Sequence, residues 1–92
     1  MKPIRVEHAP SEETLQRLGV FSWPIWEKEV STFEWYYDTE ETCYLLEGHV
    51  IVTPEGGGPA VEIGAGDLVV FPAGLSCTWQ ITQTVRKHYH LA

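Results

Sequence analysis

The hydrophobic period of the chain changes at Gly19. Before it, Leu15 and Leu18 fall on one helical edge, behind Ser11, a residue type that caps helix N-termini, and behind Glu12 and Glu13, which suit the positive end of a helix dipole. Gly19 supplies a left-handed stop, so the pattern predicts one short helix of about two turns, held by packing rather than by its own propensity. After Gly19 the period is two. Phe21, Trp23 and Ile25 alternate with smaller or polar residues, with Pro24 marking an edge or a bend. Val30 to Tyr37 reads as a strand with Phe33, Trp35 and Tyr37 on one face and Glu34 and Tyr36 on the other. Thr42 to Thr53 reads as a long strand kinked at Gly48, Val61 to Ile63 as a short strand, and Leu68 to Phe71 as an apolar run buried on both faces. Cys77 to Ile81 alternates cleanly, and Val85 to Leu91 is the last strand. Asp38-Thr39, Pro54 to Gly58, Gly64 to Asp67 and Pro72 to Gly74 are turns by composition.

Many short strands at close intervals, after a single helix, predict an all-β sandwich or barrel built from residues 1–92 as one domain. A chain of 92 residues is near the lower limit for folding on its own core. The net charge of −7 argues against nucleic acid and against an anionic membrane surface. No apolar run is long enough to span a bilayer, and the polar start Met1-Lys2-Pro3-Ile4-Arg5 does not read as an export signal, so a cytoplasmic location is expected. Two cysteines, Cys43 and Cys77, are too few for a disulfide scaffold and are expected reduced. Four Trp, four Tyr and three Phe are many for so short a chain; they can fill a barrel or line a pocket.

Two spacings add chemistry. Glu41 is followed by Gly48 after six intervening residues, and Gly66, Pro72, Gly74 and Cys77 follow one another after five, one and two. These stretches resemble the two motifs of the cupin superfamily, small antiparallel jelly-roll β-barrels. In that family the first motif places two histidines, one residue apart, three or four residues before the glutamate, and the second places a histidine where Cys77 stands. Glu41, Gly48, Gly66, Pro72 and Gly74 match; the three metal-binding histidines do not. A longer likeness, through Trp23-Pro24-Ile25-Trp26-Glu27, Phe33 to Asp38, Glu41 to Tyr44 and Arg86-Lys87-His88-Tyr89, covers nearly the whole chain. It resembles the small single-cupin proteins of the (S)-ureidoglycine aminohydrolase cupin-domain family, and implies a jelly roll with one N-terminal helix. The aminohydrolase itself is a two-cupin, manganese-dependent enzyme, so the resemblance does not carry its activity over.

Under this resemblance the two missing histidines fall on Glu34 and Tyr36 or on Trp35 and Tyr37; alternation favours the second pair, in an aromatic lumen. Glu41 is the candidate catalytic acid or base, because a carboxylate on an interior face is costly unless paired. Trp35, Tyr37, Cys43, Cys77 and Trp79 are the candidate ligand-binding residues, each of which also suits plain core packing. His88 and His90 share one face of the last strand, and Lys87 and Tyr89 the other. No metal or other cofactor is expected; a divergent divalent site would have to use Glu41, Cys77 and His88 or His90. If Lys87 and Tyr89 point inward instead, Lys87 can neutralise Glu41. His8 and His49 are expected on the surface. Three functions remain: a metal-free barrel binding a small polar or planar organic molecule, a metal-dependent enzyme with a divergent site, or a filled barrel acting as an interaction subunit. Pairing of edge strands into a homodimer is a further expectation.

Overall fold

The computed structural model describes residues 2–92. Seven strands, all antiparallel to their neighbours, follow the order β1 (Arg5–His8), helix α1 (Glu12–Leu18), a 3₁₀ turn (Val20–Ser22), β2 (Ile25–Lys28), β3 (Ser31–Tyr36), β4 (Glu41–Pro54), β5 (Val61–Gly64), β6 (Asp67–Phe71) and β7 (Ser76–Leu91).

The architecture rests on two long strands. The first part of β4, Glu41–Tyr44, pairs with β6, and its second part, His49–Val52, pairs with β5. The first part of β7, Ser76–Ile81, pairs with β3, and its later part, Val85–His88, pairs with β2. The two long strands also pair with each other along nearly their whole length. Each therefore leaves one layer and enters the other, giving the layers β1-β6-β4-β7-β2 and β5-β4-β7-β3. The crossing point is marked by register shifts between Leu45 and Val50, around Gly48. Gly48 has φ +107°, and a Cβ there would lie 2.6 Å from the Thr84 carbonyl oxygen and 2.8 Å from Val85 Cα. Only glycine permits so close an approach of the two backbones.

Between the layers lies one apolar core that includes Cys43, Leu45, Val50, Val52, Ile63, Val69, Phe71, Cys77, Trp79, Ile81 and Val85. A smaller cluster forms on the outside, where Leu15 and Val20 pack on Leu68, with Trp23 and Tyr44 against them. This is how a two-turn helix is held: Leu15 and the following Val20 pack against the outer face of β6 and β4, while Leu18 stays 44% exposed. Its ends are as the sequence indicates. Ser11 Oγ accepts from the Thr14 backbone N–H at 3.1 Å, and Gly19 is left-handed with φ 73°.

Three local expectations are corrected. Phe21 is not in a strand: the left-handed Gly19 feeds a 3₁₀ turn, in which the Ser22 hydroxyl and N–H and the Trp23 N–H bond back to Gly19 and Val20 carbonyls. The two strands expected after Gly74 are one continuous strand: the extra residues around Gln83 bulge out of β7 itself, and its pairing with β4 resumes on either side of them. Strand β1 was not foreseen, since Arg5-Val6-Glu7-His8 holds a single apolar residue. It is an edge strand on β6, ending where His8 Nδ1 meets Asp67 Oδ1 at 2.7 Å. Among the described residues no helix is long and apolar enough to cross a membrane.

Gly48→Ala should destabilise the fold by about 3 kcal/mol, because the methyl group meets backbone that cannot move aside. Gly56→Ala, at an equally left-handed site with nothing within 4 Å of the added carbon, should cost only about 1–2 kcal/mol. Urea midpoints of the two variants measure the difference.

Candidate functional site: an aromatic cavity around a buried ion pair

Residues directly opposite each other in an antiparallel ladder project to the same side, so pairing fixes which side chains enter the space between the layers. On β4, Glu41 lies opposite Phe71 and Leu91, Cys43 opposite Val69 and Tyr89, and Leu45 opposite Lys87. Trp26 of β2 also lies opposite Lys87. On β3, Phe33 lies opposite Trp79 and Trp35 opposite Cys77. Buried Cys43, Leu45, Val69, Phe71, Cys77 and Trp79 mark this side as the interior. Lys87 and Tyr89 therefore face inward, and His88 and His90 outward.

These inward side chains do not fill the space completely. A cavity of about 240 Å³ remains, walled by Trp26, Phe33, Trp35, Tyr37, Trp79 and Tyr89, with Glu41 and Lys87 as its charged members and Tyr36, Asp38, Thr39 and Leu91 also in contact with it. Trp35 is 48% exposed and Tyr36 59%, so these rings form the mouth. Trp79 joins the aromatic walls: its ring stacks with Phe33 at 6.0 Å, meets Trp26 edge-on at 5.9 Å and Phe71 at 5.8 Å.

At the polar side Lys87 Nζ donates to Glu41 Oε2 at 2.6 Å, with both residues buried at 5% and 7% exposure. The same ammonium lies over the rings of Trp26 at 5.0 Å and Trp79 at 4.9 Å. The negative ring faces offset part of the hydration that the cation gives up on burial. Among the described residues, Glu41 Oε1 accepts no hydrogen bond, and Nζ donates to no second oxygen. The Tyr37 hydroxyl and Trp79 indole N–H are buried and approach each other without closing a hydrogen bond. Burial, with the Glu41 charge adding to it, pushes the Tyr37 hydroxyl far above the usual phenol range.

Of the residues singled out in the sequence, Glu41, Trp35, Tyr37 and Trp79 meet at this cavity. Trp35 stands at its mouth rather than deep inside. Cys43 and Cys77, expected to touch a ligand, are not among its lining residues. Both are fully buried as free thiols in the packed core, and Cys77 Sγ lies 3.7 Å from the Trp35 carbonyl oxygen. Burial pushes the Cys43 thiol up to about 12, where the Lys87 charge opposes the rise, and the Cys77 thiol up to about 11. Sequence reasoning missed Trp26, whose strand was obscured by Pro24, and Tyr89. Lys87 is the inward partner of Glu41 that the alternative reading of the last strand required.

The metal set drawn from Glu41, Cys77 and His88 or His90 does not assemble. His88 is on the outer face with Nδ1 2.9 Å from the Trp23 carbonyl oxygen, and His90 stacks on Trp23 at 5.3 Å. Among the described residues no three His, Cys, Asp or Glu side chains converge. Trp35 and Tyr37, which line the cavity, offer rings rather than imidazoles, and the one carboxylate there already holds an ammonium. The donors present do not fit a divalent ion.

A jelly roll of this topology, with a glutamate inside it and glycines at its turns, is a cupin. Residues 15–89 match the EutQ-like cupin domain, and the chain belongs to that family. It is 56% identical to a DUF861-family protein of Thermotoga maritima, over 98% of this chain and 100% of that one, with a TM-score of 0.94. It is also similar to a putative ethanolamine utilization protein Q of Salmonella typhimurium, at 27% identity over 73% of this chain and 53% of that one, with a TM-score of 0.64. A DUF861-family protein of Pseudomonas syringae is 28% identical over 74% of this chain and 29% of that one, with a TM-score of 0.65. The chain thus spans about half of the Salmonella protein and less than a third of the Pseudomonas one. No curated protein matches the chain.

Two outcomes follow from the site. Lys87→Met leaves a buried carboxylate unpaired and should cost about 3–5 kcal/mol, whereas the double change Glu41→Leu with Lys87→Met should cost much less than the sum of the single changes. Urea unfolding of the four proteins in the cycle measures this. The thiols set an alkaline limit. Their folded pKa values are raised from 9.0, so their contribution to stability is whole below about pH 9 and is lost as pH rises toward 11 and 12. The urea midpoint should fall above pH 9, and less steeply in the variant with Cys43→Ala and Cys77→Ala, where Tyr37 alone of these raised groups remains.

Proposed function

We propose that this cupin binds a small, flat organic molecule with a polar end in its aromatic cavity, and does so without a metal ion. The observation that carries this reading is the buried Glu41–Lys87 pair beside an aromatic cavity. Ligand sites are mostly apolar walls with a few placed polar groups, and this cavity has that composition. Trp35, Tyr37 and Trp79 supply contact area at little entropic cost. Glu41 Oε1 offers an acceptor, and the Lys87 ammonium has N–H groups that meet only ring faces. A carboxamide, a ureide or an amino alcohol carries the matching donor and acceptor at one end. The ureide class also follows from the resemblance to the ureidoglycine aminohydrolase cupin-domain family, and the amino alcohols from the relative named for ethanolamine utilization. If the ligand is transformed, Glu41 is the group placed to take and return a proton.

Tryptophan fluorescence during titration with carboxamides, ureides, amino alcohols and small organic acids tests the reading. At least one class should give a saturable change, and Glu41→Gln should weaken that binding about ten-fold or more while the fold is kept, as loss of a charged hydrogen bond does. The absence of any saturable change across the panel overturns it. Elemental analysis of untagged protein should find no stoichiometric manganese, iron, nickel or zinc; such a metal, lost on Glu41→Gln, would replace this reading with the metal-dependent one.

A further inference from the structure

We propose that Lys87 is a covalent site: that the cavity captures a small aldehyde or ketone with a flat apolar body as an imine on Lys87 Nζ, with Glu41 as the proton carrier. The inference rests on the binding reading above and adds the chemical class of the ligand. Three features of the cavity bring it together.

The first is placement. The chain has three lysines, Lys2, Lys28 and Lys87, and Lys87 is the one that lines the cavity. Its amine is enclosed by the Trp26 and Trp79 rings and is 5% exposed. Lysines that serve as nucleophiles toward carbonyl groups need a positioned amine and a neighbouring base, and Lys87 has both here.

The second is the proton path. Glu41 Oε2 is 2.6 Å from Nζ, so one proton can pass from the ammonium to the carboxylate along an existing hydrogen bond. The free amine then attacks the carbonyl carbon. The C–N bond forms as the carbonyl π electrons move to oxygen, and the tetrahedral carbinolamine follows once that oxygen and the nitrogen have exchanged a proton through Glu41. Glu41 then returns its proton to the hydroxyl, which leaves as water while the nitrogen lone pair closes the protonated imine. The balance is one ammonium and one carbonyl compound in, one iminium and one water out, with Glu41 ionised at both ends. The product cation stays beside the carboxylate and the two ring faces that already hold a cation there.

The third is the cost of the pair. A buried ion pair is often no more stable than apolar residues of the same volume, so a lysine and a glutamate kept against an open cavity point to chemistry rather than to stability. The walls of Phe33, Trp35 and Trp79 suit an arene, and an aldehyde carbon attached to one would project toward the polar side.

Benzaldehyde is the probe, with sodium cyanoborohydride to reduce the imine to a stable secondary amine, and benzamide is its non-electrophilic counterpart. Mass spectrometry should find one benzyl group per chain, mapped by peptide analysis to Lys87 ahead of Lys2 and Lys28. Lys87→Arg, which keeps the cation, should lose the adduct, and Glu41→Gln should slow its formation about 100-fold, the scale of a lost proton carrier. Where either variant fails to fold, the partition among the three lysines of the unaltered protein decides alone. Labelling of Lys2 and Lys28 to the same extent as Lys87 overturns the inference. Saturable fluorescence quenching by benzamide with no trapped adduct from benzaldehyde overturns it too, and leaves the binding reading standing. Neither quenching nor adduct with either probe counts against both.

Discussion

Every other part of this molecule hangs on the pairing of β4 with β7. Together these two strands carry backbone partners for all five of the remaining strands except β1, which reaches them through β6. Because each runs through both layers, a single antiparallel ladder sets the register on both sides of the core. The contact of Gly48 with Thr84 and Val85 lets the ladder change layers without breaking, and a side chain at that point would force the two backbones apart. So short a chain achieves a closed core because it spends few residues on connections: the strands are long, and most turns are tight.

The site is a product of the same ladder. Glu41 begins β4 and Lys87 lies near the end of β7, and antiparallel pairing returns the end of one to the beginning of the other. Forty-six positions of sequence separation become a 2.6 Å contact. The cation is then stabilised by rings from β2 and from β7 itself, so three strands must be in place before the charge is tolerated. The cavity is thus tied to the completed fold and has no local element that could form it alone.

The two kinds of signal in the sequence differed in reach. Period-two alternation revealed β3, β4 and β5 because each has one face against the core, a continuous apolar run revealed β6, which is covered on both faces, and capping chemistry placed α1 to the residue. It did not reveal β1, an edge strand with little to bury, nor the continuity of β7, whose irregular stretch around Gln83 breaks the alternation without ending the strand. For the site, the alternation of Phe33, Trp35 and Tyr37 was enough to put these rings on one face and Glu41 near them. The orientation of the last strand was not legible locally. Val85 to Leu91 places Lys87, Tyr89 and Leu91 on one side and His88 and His90 on the other, and both sides carry rings and charge. The choice is made by long-range pairing with Leu45 and Trp26, information that a strand read by itself does not contain. The cysteines were read as inward, with ligand contact and plain core packing both open, and the structure shows the packing: alternation gives direction and not depth.

That ambiguity has an evolutionary side. In β7 Lys87 and Tyr89 alternate with His88 and His90 over four consecutive residues, and a strand has only two faces. Removal of one residue from the irregular stretch around Gln83 would turn the following segment over. The imidazoles would then enter the lumen beside the carboxylate, and the lysine would leave it. His90, now stacked on Trp23, and His88, edge-on to Phe21, are a latent second lining whose side is set by the parity of one strand.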